Sequence, residues 1–161
     1  MASFAELAKV KTEDLPEVKL IPMGSFIWSV DRVPEMKPSK SGKGTTVSCR
    51  LKLVSPIENF EDPAALADFG NPAGIVRTLY FYVPDHANED EDPNSFERRQ
   101  AGAVQRLNRF LAADLQVEGD TLEERLSNSI NHQCIGTIQH TPDDRNPQVL
   151  RDEIIATAPI V

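Results

Sequence analysis

TTVSCRLKLV, residues 45–54, alternates without a break: Val47, Cys49, Leu51 and Leu53 fall on one side, and Thr46, Ser48, Arg50, Lys52 and Val54 on the other. A two-residue period with one apolar side marks a strand that packs one face on a core and turns the other to water. Upstream, PEMKPSKSGKG (34–44) is punctuated by Pro and Gly and reads as a loop. Before it, GSFIWSVDRV (24–33) places Phe26, Trp28 and Val30 on one face of a second strand. The two strands are expected to pair as a hairpin with a long, flexible tip. That tip is basic: residues 32–52 hold Arg32, Lys37, Lys40, Lys43, Arg50 and Lys52 against Glu35 alone, in a chain of formal net charge -8.

Downstream, residues 55–74 read as a loop with a short helical turn. IVRTLYFYV (75–83) is a third strand rich in β-branched and aromatic residues. Leu79, Phe81 and Val83 form its stronger apolar set, so Thr78, Tyr80 and Tyr82 are expected to face outward. The acidic segment PDHANEDEDPN (84–94) lacks the glycine and the closing glutamate of a calcium loop. A helix follows, with Asn94 as cap and Glu97 three residues on. Phe96, Ala103, Leu107, Phe110, Leu111 and Leu115 recur at helical spacing. Arg98, Arg99, Arg106 and Arg109 decorate the same helix, where arginines usually solvate the surface and pair with acids such as Glu97 and Asp114. Gly119 ends it, and Thr121 with Glu124 starts a short second helix, LEERLSN. QCIGTIQH (133–140) and VLRDEIIATAPIV (149–161) supply a fourth and a fifth strand, separated by the turn TPDDRNPQ. Residues 1–23 read as a lead-in in which Phe4, Leu7 and Val10 share a helical face and LPEVKLIP is extended.

The chain has 161 residues, 40% of them hydrophobic and 26% charged, which suits a single domain, 1–161, with its own core. No apolar run is long enough to cross a membrane, and the first residues lack the basic start and apolar block of a secretory signal, so no membrane partner and a cytoplasmic location are expected. Cys49 and Cys134 lie in apolar alternating segments and are expected to be reduced and buried. His86, His132 and His140 show no metal-ligand spacing, and neither a metal nor another cofactor is expected. GKGTT lacks the upstream glycine and the strand-to-helix setting of a phosphate-binding loop. No nucleophile–base spacing stands out either, so the chain does not read as an enzyme.

The order of elements is three strands, a helix and two strands, with a basic hairpin between the first and second strands. This order predicts a mainly β fold: a five-stranded OB-like Greek-key barrel with one main α-helix between strands three and four. The succession FIWSVDRVPEMKPSKSGKGTTVSCRLKLV, TLYFYV, RRQAGAVQRLNRFLAA and CIGTIQH followed by DEI resembles a group of small phage-encoded proteins with OB-like features. The resemblance covers about residues 24–156. It implies sequence-independent binding of single-stranded DNA in phage replication or recombination, in the cytoplasm of the infected bacterial host. It also makes replication or recombination proteins and a second copy of the chain candidate partners. The chain departs from many such binders by ending in the apolar ATAPIV rather than in an acidic tail.

Binding a single strand takes cations that follow the phosphates and flat side chains on which bases stack. Lys37, Lys40, Lys43, Arg50 and Lys52 are the candidate cations, with Arg77 at the start of the third strand. Tyr80, Tyr82, Phe81 and Trp28 are the candidate stacking planes, although Trp28 shares its face with Phe26 and Val30, which favours the core. The alternative expectation is a structural phage protein, a capsid or tail component. It would use the barrel as an assembly module and recruit neighbours through the apolar ends SFAELAKV and ATAPIV.

Overall fold

The computed structural model describes residues 1–15 and 18–161; Pro16 and Glu17, part of the LPEVKLIP segment expected to be extended, lie outside the described residues. Among the described residues the fold is mainly β, an open antiparallel sheet of six strands accompanied by four α-helices. The strands are β1 (Gly24–Val30), β2 (Glu35–Pro38), β3 (Gly44–Pro56), β4 (Val76–Pro84), β5 (Gln133–Pro142) and β6 (Leu150–Ala158). The helices are α1 (Phe4–Leu7), α2 (Pro63–Phe69), α3 (Pro93–Arg109) and α4 (Leu122–Asn128).

β3 is the hub. Its stretch from Leu51 to Pro56 pairs with β1 and that from Thr45 to Ser48 with β2 on one edge, while β4 runs along the opposite edge from Gly44 to Lys52. β1 pairs on its far side with β5, and β5 with β6. The expected alternation holds: Phe26, Trp28 and Val30 of β1, Val47, Cys49, Leu51 and Leu53 of β3, and Cys134 and Ile138 of β5 are all buried. Burial pushes both thiols up to about 12, and the two cysteines are free and buried.

β2 corrects the sequence reading. Residues 35–38 were expected within a long flexible loop, yet they form a strand against Thr45–Ser48. β1 stops pairing with β3 at Val30–Leu51, which leaves the first part of that edge of β3 vacant. Pairing supplies partners for backbone groups that Met36 and Lys37 would otherwise leave to water. Pro34 and Pro38 bracket the strand, a placement Pro tolerates at a sheet edge. The tip shortens to residues 39–43, closed by Ser39 N–H donating to the Gly44 carbonyl at 2.8 Å, with Gly42 at φ +71°.

α3 begins earlier than expected. Pro93 sits at its first position, where a missing N–H costs nothing, so Asp92 rather than Asn94 is the cap. Its carboxylate accepts from the Asn94 N–H at 3.4 Å. The helix buries Ala103 and Leu107, then passes into a π-helical turn, Phe110–Asp114. Phe110 packs on Phe81 of β4 with ring centroids 5.1 Å apart, and the Gln100 side chain donates to the Pro84 carbonyl at 2.9 Å. These contacts hold α3 against β4. By contrast α1, although closed by a Ser3–Glu6 capping box, buries no residue.

No ladder joins β4 to β6 among the described residues; these two edge strands meet through an ion pair instead. Arg77 Nη2 donates to Asp152 Oδ2 at 2.9 Å and its Nε donates to Oδ1, while the Ile21 N–H donates to Oδ2 at 2.9 Å. Burial pushes the Asp152 carboxyl up, but the hydrogen bonds from Arg77 and Ile21 and the Arg77 charge outweigh it and hold it below the ordinary range. A carboxyl depressed by folding stabilises fully above its unfolded pKa of about 4, and that stabilisation is lost as pH falls through the lower folded value. Asp152→Asn is therefore expected to cost about 1–2 kcal/mol near neutral pH, discounted because the guanidinium is partly solvated. Urea melts at pH 7 and pH 3 check this: the gap between the two proteins should narrow at the lower pH, and an equal gap at both would remove the ion pair from the account.

Candidate nucleic-acid interface

Residues paired across antiparallel strands point to the same side of a sheet. On β3 and β4 the outward pairs are Thr46 with Tyr82, Ser48 with Tyr80, Arg50 with Thr78 and Lys52 with Val76. β2 extends two of these rows, placing Lys37 beside Thr46 and Glu35 beside Ser48, and β1 sets Ser29 beside Lys52. One face therefore carries Lys37, Arg50, Lys52, Tyr80 and Tyr82. Strands lie about 4.8 Å apart, so the row Lys37–Thr46–Tyr82 spans roughly 10 Å.

The tyrosines are the exposed planes of this face. Tyr80 is 70% exposed and Tyr82 42%, while Leu79 and Phe81 turn to the core. Tyr82 also has a fixed seat, because its ring lies across Gly44. A Cβ at Gly44 would stand 2.7 Å from the ring and 2.5 Å from the Val83 carbonyl oxygen. Trp28 is corrected: it is 0% exposed, its Nε1 donates to the Gly136 carbonyl at 3.2 Å, and its ring reaches no surface. Phe81 turns away from the outward face and packs, partly buried, against Phe110.

The cations divide into paired and unpaired. Lys37 Nζ lies 3.1 Å from Glu35, both exposed. Arg50 Nε lies 2.9 Å from Asp31 Oδ2 but makes no hydrogen bond there, so the pair is ionic without a directed bond. Arg77 faces the β4–β6 seam and is committed to Asp152, which removes it from the outward face. Lys40, Lys43 and Lys52 are exposed and make no ion pair among the described residues. Lys40 and Lys43 stand at the hairpin tip, which is tied to the end of β4: the Lys43 carbonyl accepts from the N–H groups of Asp85, at 2.8 Å, and His86, at 3.1 Å. The Thr45 hydroxyl donates to the Asp85 carboxylate at 3.1 Å, so the acidic segment starts beside the basic tip.

The helix arginines also sort themselves. Arg99 is taken by Glu91 at 2.9 Å, and that hydrogen bond lowers the Glu91 carboxyl. Arg98, Arg106 and Arg109 are exposed and without an ion pair among the described residues; Asp114, an acid expected to pair with them, accepts from the Thr157 hydroxyl. Arg106 flanks Tyr80 and Tyr82 across a cleft of about 390 Å³. Sequence reasoning ranked these arginines as solvating residues, since nothing in their spacing reports which way the helix turns over the sheet.

Among the described residues, no group of three or more His, Cys, Asp or Glu is placed to hold a metal ion, and no helix is long and apolar enough to cross a membrane. A scan of protein-family models and a search of curated proteins give no match to this chain.

Proposed function

We propose that the chain binds single-stranded DNA without reading its sequence, on the outward face of β2, β3 and β4. The observation that carries this reading is the register, which sets exposed Tyr82 in the row of Lys37, next to the Lys40–Lys43 tip, and exposed Tyr80 on the same face, between that row and the rows of Arg50 and Lys52. Lysines would neutralise phosphates while Tyr80 and Tyr82 offer planes for bases, a division of labour that needs no hydrogen bonds to base edges. An OB-like barrel is the architecture that fits this use. In its support, β4-β3-β1-β5-β6 is the neighbour order, α3 falls between β4 and β5, and Arg77 with Asp152 draws the outer strands together. A role in phage replication or recombination follows from the resemblance of residues 24–156 alone. The acidic remainder of the chain would discourage contact with duplex DNA.

The test is fluorescence anisotropy with labelled oligo-dT over a salt series, with duplex DNA alongside. Lys37/Lys40/Lys43→Ala should flatten the log–log salt dependence by about 2, at about 0.7 for each single-strand phosphate that is no longer neutralised. Equal slopes for the variant and the unaltered protein would make the lysine tip a solvated loop. One observation favours assembly as a second reading: α1 buries nothing, and its Phe4 is 85% exposed. Size measurement without nucleic acid separates the two, because a large DNA-independent assembly supports the structural role.

A further inference from the structure

The missing ladder between β4 and β6 leaves a cleft of about 620 Å³, walled on one side by α3 and its π-helical turn. Its floor is apolar, with Leu79 and Phe81 from β4 and Ile154 from β6. Arg106 and Arg109 stand on the helix wall and Tyr80 at the rim. The π-helical turn explains the shape. Its wider spacing, with the Leu115 N–H donating to the Phe110 carbonyl at 2.9 Å, buries Phe110 and Leu111 together and carries Asp114 to Thr157 of β6. Asp114 is thereby engaged by a hydroxyl, and the two guanidinium groups on the preceding turns keep their charge unpaired. Such single π-turns recur at functional sites.

We infer that this cleft is a second grip for the same single strand, in which Arg106 and Arg109 hold phosphates and the apolar floor receives a base beyond Tyr80. The inference rests on the single-strand-binding reading and extends it from the sheet face around the edge of β4. Three observations converge on it. Arg106 and Arg109, neither in an ion pair among the described residues, outweigh the one carboxylate of the lining, Asp114, so the concavity keeps an excess of positive charge in a chain of net charge -8, which complements a polyphosphate strand. Tyr80 belongs both to the outward tyrosine row and to the rim of the cleft, so a strand leaving one enters the other. The helix wall is held in place by Phe110 on Phe81 and by Gln100 on Pro84, so the arginines sit on a rigid support.

The experiment compares Arg106→Gln/Arg109→Gln with Arg98→Gln, a loss of charge on the same helix outside the clefts, in oligo-dT anisotropy titrations over salt. Melting curves should coincide, since all three side chains are exposed and unpaired. The double variant is expected to bind more weakly, with a log–log salt slope reduced by about 1.4 for two phosphates left without a cation; Arg98→Gln should keep the slope of the unaltered protein. A double variant that binds like the unaltered protein overturns the second grip and leaves the sheet-face reading standing. A loss of equal size per charge from Arg98→Gln also overturns it, because the effect is then the general field of the helix. If the unaltered protein itself fails to bind oligo-dT at low salt, the single-strand reading falls, and the second grip with it.

Discussion

Tyr80→Ala/Tyr82→Ala should weaken oligo-dT binding by about 2–6 kcal/mol, from roughly 30-fold to more than 10⁴-fold, at about 1–3 kcal/mol for each stacked base. The salt slope should stay where it is, because neither ring touches a phosphate. That pairing of a large loss with an unchanged slope is the opposite of what the lysine variant should give, so the two variants separate stacking from charge. Tyr80→Ala alone should leave folding untouched, since most of the ring is already in water. Tyr82→Ala should cost some stability as well, because its ring covers Gly44. Phenylalanine at both positions keeps the planes and should retain most of the affinity. Alanine variants that bind as well as the unaltered protein would end the stacking account.

The second large effect is on stability. Trp28→Ala is expected to cost about 3–5 kcal/mol, the range for removing a large aromatic from a core. Trp28 is fully buried, meets Phe26 edge-on at 6.4 Å between centroids, and gives its indole N–H to the Gly136 carbonyl. In a chain of this size that loss lowers Tm by about 6–20 °C. Gly136 is the other half of the arrangement. A Cβ there would stand 2.7 Å from Trp28 Cδ1 and 2.9 Å from Nε1, so Gly136→Ala should cost about 1–3 kcal/mol by overpacking. The two changes should not add, because the added methyl has no ring to strike once Trp28 is gone. Urea denaturation of the two single variants and the double variant measures this directly, and strict additivity would show that ring and glycine do not constrain one another.

The strands that carry the core were legible because their apolar residues alternate, as Val47, Cys49, Leu51 and Leu53 do. The outward setting of Tyr80 and Tyr82 was legible from the stronger apolar set between them. β2 was not, because EMKP has no apolar period; its pairing depends on the stretch of β3 that β1 leaves free, which is a tertiary circumstance. The commitment of Arg77 was hidden for the same kind of reason, since its partner, Asp152, is 75 residues away. Trp28 could be stacking plane or core by residue type, and its alternation with Phe26 and Val30 favoured what the structure has. The place of Arg106 and Arg109 depends on a π-helical turn and on a sheet that fails to zip, and neither has a sequence signature.

β3 has one further consequence, for the order in which the chain can assemble as it is synthesised. All of its partners, β1, β2 and β4, lie before residue 85, so the half of the sheet that bears the tyrosines and lysines has every strand it needs once Pro84 has emerged. The partners of the other edge come late: Ser25 meets Thr137 across 112 residues, and the Ile21 N–H meets Asp152 across 131. Until then β1, with Phe26 and Trp28, has nothing from β5 or β6 beside it. The outward face can thus be in place on a nascent chain whose core is still open to water.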